Sequence, residues 1–66
     1  MKLVVNDEAH IHNGDGSIKS LISELNADKG RVAVMVNGDV VPRTMWDSIA
    51  LNENDRIELL VFAGGG

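Results

Sequence analysis

The 66-residue chain carries ten acidic and six basic residues, a net charge of −4, and no cysteine, which excludes disulfides, zinc–thiolate sites and cysteine nucleophiles. A chain this short is one domain that buries only ~60% of its unfolded surface, too little for a deep, water-excluded cleft of its own. Its scattered bases form no stripe for nucleic acid, and its apolar runs are too short for a membrane helix or a signal-peptide core, so a cytoplasmic protein that meets a basic protein surface is expected.

Met1 to Val5 is rich in strand formers, and Asn6-Asp7-Glu8 signals a turn. Ala9 to His12 returns as a second strand before Asn13-Gly14-Asp15-Gly16 breaks the chain. Ser17 is a helix N-cap, because its hydroxyl can accept from the free amides of a first turn. Ile18, Leu21, Ile22 and Leu25 then recur at i, i+3, i+4 and i+7, one apolar stripe of an amphipathic helix. Lys19, Ser20, Ser23 and Glu24 form its wet face. The stop falls within Asn26 to Gly30, with Gly30 the expected left-handed terminator. Arg31 to Val36 reads as a central strand, apolar on both sides. Asn37-Gly38 is the strongest hairpin signal in the chain and returns it through Asp39 to Val41. Pro42 cannot donate to a ladder, so this strand ends there or lies at an edge. Thr44 to Leu51 is irregular or a short helical turn carrying Trp46, an expected core residue. Asn52 to Asp55 is a turn, and Arg56 to Phe62 is the last strand.

The order ββαββ(β) is an α+β arrangement in which one helix covers one face of a mixed sheet of four to five strands. The strongly apolar first and last strands belong together at its centre, the layout of a β-grasp, ubiquitin-like fold. Residues 1–62 form this domain, and 63–66 form a flexible Gly-rich tail. Alternation along the last strand places Ile57, Leu59 and Val61 on one face and Arg56, Glu58, Leu60 and Phe62 on the other. The charged side should face water.

No catalytic set is present. His10 and His12 share a strand face at a spacing that could hold a metal, but no third ligand lies nearby, and two solvated histidines are expected. Asn13 to Ser17 has a Gly-x-Gly step before a helix. No lysine follows as in a Walker motif, and Asp15 would repel an anion, so a strand-to-helix turn with an N-cap is the reading. Ala63-Gly64-Gly65-Gly66 differs from these. Glycines without side chains can thread extended into a narrow site of another protein, with the Gly66 carboxylate as the working group and Gly64 and Gly65 as spacer. Leu60 and Phe62, with Ala33 and Met35 beside them, form an apolar set next to that tail and are a candidate docking patch.

Three stretches of the chain resemble the ThiS family of thiamine-biosynthesis sulfur carriers. Val36-Asn37-Gly38-Asp39-Val40-Val41-Pro42-Arg43-Thr44-Met45-Trp46 is similar to its V-N-x-x-x-V-P-R-x-x-W pattern. Leu51 to Glu58 is similar to its L-x-x-G-D-x-I/V-E turn and strand, with Asn54 in place of a glycine; both residue types tolerate a left-handed turn. Val61 to Gly66 is similar to its V/A-G-G ending. The resemblance implies a carrier rather than an enzyme. A ThiF-like adenylyltransferase, using ATP and magnesium that this chain does not itself bind, would transfer AMP to the Gly66 carboxylate. A cysteine-desulfurase relay would then supply sulfur to give a thiocarboxylate, which a ThiG-like thiazole synthase would consume. The resemblance assigns no role to Arg43, for which a fold-stabilising one is the default. Alternatives are a carrier for molybdopterin or another sulfur metabolite, a ubiquitin-like modifier forming amides with lysines, and an interaction module with an idle tail.

Overall fold

A computed structural model describes residues 1–27 and 30–62. Its strands are β1 (Lys2–Val5), β2 (Glu8–Ile11), β3 (Val32–Val36), β4 (Asp39–Val41) and β5 (Arg56–Val61), with one helix, α1 (Ile18–Glu24), between β2 and β3. They form a five-stranded sheet in the order β2-β1-β5-β3-β4. β1 and β5 run parallel and side by side near its centre, while the β1–β2, β3–β4 and β3–β5 pairs are antiparallel. This is the mixed sheet of a β-grasp fold. β4 lies at an edge and stops at Val41, as Pro42 requires.

Ser17 caps α1, accepting the Ser20 N–H with its hydroxyl. The other end corrects the expected terminator. Asn26, at φ 57°, takes the left-handed position directly after the helix. The Asn26 N–H donates to Ser23 O and the Ala27 N–H to Ile22 O, both at 3.1 Å. This paired closure satisfies carbonyls that the last turn would otherwise leave open. Asn can do this because its short polar side chain tolerates the conformation.

Leu3, Ile18, Leu21, Ile22, Val34 and Ile57 are fully buried between α1 and one face of the sheet. Trp46 is also buried, at the end of a 3-10 turn formed by Arg43–Met45. Its Nε1–H donates to Val41 O, and its own carbonyl accepts the Lys19 N–H, tying the turn to both β4 and α1. No helix of the described residues is long and apolar enough to cross a membrane.

Candidate functional site

β5 is the last described strand, and two asparagines from turns fix its register. Asn37 accepts the Arg56 N–H at 3.0 Å with Oδ1, and Asn6 accepts the Leu59 N–H at 2.9 Å. Each sits at positive φ, 50° and 49°, which frees its side chain to reach across to the neighbouring strand. At the far end the Phe62 N–H donates to Arg31 O at 2.7 Å, so pairing with the chain before β3 continues to the last described residue.

This register decides which side chains share a face. Leu60 lies opposite Ala33, Glu58 opposite Met35, and Met35 opposite Val40. Leu3, Val5, Val34 and Ile57 point to α1, so the alternate set points away from it. Leu60 is 51% exposed and Phe62 59%, with Ala33 and Met35 half-buried beside them. Val40, 68% exposed and directly across from Met35, extends this apolar surface. Sequence reasoning missed it, although the alternation of Asp39, Val40 and Val41 carried the signal. Val61 shares the parity of Ile57 and Leu59 but is 69% exposed, so the buried row stops at Leu59. A seven-residue helix spans only about 10 Å, against about 20 Å for a six-residue strand, and cannot cover all of β5.

The histidines are not both solvated. His12 is 3% exposed and enters a polar cluster beneath the start of α1. The Gly16 N–H donates to its Nε2 at 3.0 Å, which places the ring proton on Nδ1, and Nδ1–H donates to Glu24 Oε1 at 3.0 Å. His10 Nε2–H donates to the same oxygen at 2.6 Å, and the Asn13 N–H reaches Oε2 at 2.7 Å. Ser20 Oγ lies 3.2 Å from His12 Nε2. Ser20 and Glu24 therefore belong to an inward-leaning edge of α1 and not to its wet face. Glu24 contacts both histidines, yet the described residues hold no group of three side chains arranged for a metal ion. The geometry agrees, since Nδ1 of His12 must keep its proton while Gly16 donates to Nε2. The His10 hydrogen bond, followed by that of Asn13, lowers the Glu24 pKa from 4.5 to about 2. Asp15 is likewise held at about 2 by the hydroxyl and N–H of Ser17.

Gly64, Gly65 and Gly66 lie outside the described residues. Arg43 borders a shallow groove with Trp46, Val32 and Val41.

Comparison with known proteins gives a consistent set of likenesses. The family model described as "ThiS family" matches residues 1–66. The crystal structure of the thiamine biosynthesis protein (ThiS) from Geobacter metallireducens is 33% identical, covers 100% of both chains and superposes with a TM-score of 0.83. A thiazole synthase from Paramagnetospirillum magneticum is 36% identical over 66 residues, 100% of this chain but 20% of that protein. The uncharacterized protein ycf40 of Pyropia yezoensis is 36% identical over 50 residues, 76% of this chain and 70% of that one. The chain thus spans about a fifth of the length of the thiazole synthase it matches.

Proposed function

The chain belongs to the ThiS family, and on that premise we propose that it is a sulfur carrier of thiamine biosynthesis, acted on by other enzymes through its Gly66 carboxylate. The observation that carries this reading is the full-length family match together with a sequence that runs from β5 directly into Ala63-Gly64-Gly65-Gly66. In the proposed reaction a carboxylate oxygen of Gly66 attacks the α-phosphorus of ATP held by a ThiF-like adenylyltransferase, and pyrophosphate leaves. AMP is a far better leaving group than oxide. The terminal sulfur of a persulfide from a cysteine-desulfurase relay then attacks the acyl carbon and displaces AMP, and a thiolate cleaves the resulting acyl disulfide, forming a disulfide with the carrier sulfur and leaving the thiocarboxylate. Magnesium belongs to the activating partner and offsets the phosphate charge there.

The surface formed by exposed Leu60 and Phe62 with half-buried Met35 and Ala33 supports a docking role, because a partner that holds the tail must pass over it. Desolvating such a patch supplies binding energy, and acids such as Glu58 steer it toward a basic partner. The likeness to part of a thiazole synthase supports a ThiG-type synthase as the acceptor of the sulfur.

The test is intact mass after incubation with ATP, magnesium, an activator of this type and sulfide. The expected result is replacement of one oxygen by sulfur, placed at Gly66 by fragmentation. A mass change located elsewhere, or lysine conjugates in place of a thiocarboxylate, overturns the reading.

A further inference from the structure

Two of the six asparagines are followed by glycine, Asn13 before Gly14 and Asn37 before Gly38. Glycine offers the least steric obstruction to attack by its own nitrogen on the preceding side chain. From sequence alone the two sites are equivalent, and both residues are exposed. The structure separates them. The Asn37 carboxamide is held at both ends: Oδ1 accepts the Arg56 N–H, and Nδ2 donates to Asp55 Oδ1, each at 3.0 Å. Both ends of this carboxamide are thereby tied to residues at the start of β5. The Asn13 carboxamide makes no hydrogen bond among the described residues, and neither does the Gly14 N–H. Asn13 is anchored only through its main-chain N–H on Glu24.

We propose that Asn13 is a site of spontaneous deamidation, and that the fold protects Asn37 from the same reaction. The Gly14 nitrogen attacks Cγ of Asn13. The new N–Cγ bond forms, the Cγ–Nδ2 bond breaks, and the amide nitrogen leaves as ammonia, closing a succinimide. Water then opens the ring. Cleavage at Cγ yields aspartate, and cleavage at the main-chain carbonyl yields isoaspartate, which routes the chain through Cβ. No oxidant or reductant is needed. Both products add a negative charge close to Glu24 and Asp15. Isoaspartate also lengthens the chain beside Gly14, where space is already short: a Cβ on Gly14 would come within 2.6 Å of both His12 Cε1 and Ser20 Oγ. The modification therefore strains the loop that presents Gly16 to His12.

The experiment ages the folded protein at mildly alkaline pH and follows each Asn-Gly peptide by mass spectrometry. Isoaspartate is counted by labelling with a protein isoaspartyl carboxyl methyltransferase and S-adenosylmethionine. A parallel sample in concentrated urea gives the rates without structure. In urea the two sites should react at comparable rates. In the folded protein Asn37 should be slower than Asn13 by roughly tenfold or more, the factor that two net hydrogen bonds supply. Asp55→Ala, which removes the acceptor of Asn37 Nδ2, should speed Asn37 and leave Asn13 unchanged. Equal rates in the folded state, or a faster Asn37, overturn the proposal, as does an Asn13 whose rate falls on folding as much as that of Asn37.

Discussion

Replacing Ile57 with alanine tests the facing of β5, and its cost follows from where the side chain sits. Ile57 is 1% exposed, on the strand face that packs against α1. Alanine deletes three methyl-sized groups at ~0.8 kcal/mol each, about 2.4 kcal/mol of lost transfer energy. The cavity left in a strand paired on both sides raises the expected loss to about 3–4 kcal/mol. At roughly 0.05–0.15 kcal/mol per residue, the domain holds about 3–10 kcal/mol in all, so this one change removes much of it. Leu60→Ala deletes as many carbons, but Leu60 is 51% exposed and leaves no enclosed cavity, for a cost of about 1 kcal/mol. Urea unfolding followed by circular dichroism, at an m-value near ~1 kcal/mol/M, should separate the two midpoints by about 2 M or more. If Leu60→Ala proves as costly as Ile57→Ala, the strand does not face as described, and the docking surface fails with it.

Leu60→Ser should weaken binding to an activating enzyme by about 1–2 kcal/mol, read by titration calorimetry, while its melting temperature stays closer to the parent than that of Ile57→Ala; unchanged affinity removes Leu60 from the interface. Gly65→Val should block adenylation while shifting stability by no more than ~0.5 kcal/mol, because a β-branched residue stiffens and widens a segment that must thread a narrow site; normal adenylation counts against threading. Glu24 has a folded pKa of about 2 against 4.5 unperturbed. Its stabilisation is therefore fully present above pH 4.5 and lost as pH falls toward 2. With the carboxylate partly in water the loss should be only about 1 kcal/mol. Acid unfolding should show this limb in the parent and not in Glu24→Gln, and an unchanged acid limb in that variant assigns it to other groups.

The helix start, the Asn37-Gly38 hairpin, the edge position of β4 and the two faces of β5 were legible because each depends on neighbours in sequence. Ser17 needs only its own first turn, and alternation along β5 needs only a straight strand. The helix stop does fall within Asn26 to Gly30, but its left-handed residue is Asn26, because asparagine and glycine compete for that position and local sequence does not rank the two. His12 was misread for a different reason. Its partners are Glu24 and Ser20 on α1 and the Gly16 N–H of the intervening loop, and they converge only once the helix is folded back on the sheet. A glutamate and a serine on the seam of an amphipathic helix look solvated until that packing exists. The side-chain clamps of Asn6 and Asn37 on β5 were hidden likewise, since each spans a long separation along the chain.

The central pairing of β1 with β5 also constrains how the domain comes into being. Val4 and Val5 align with Arg56 and Ile57, from nearly opposite ends of the sequence. The two hairpins, β1–β2 and β3–β4, share no ladder with each other, and β5 is the strand that joins them. During synthesis neither hairpin can complete a sheet until β5 has left the ribosome, so the nascent chain must hold two partial sheets apart. Closing such a long loop costs entropy before any contact repays it, which places folding toward the slower range of small domains. Completion of the core thus waits on the last of the five strands, whichever hairpin forms first.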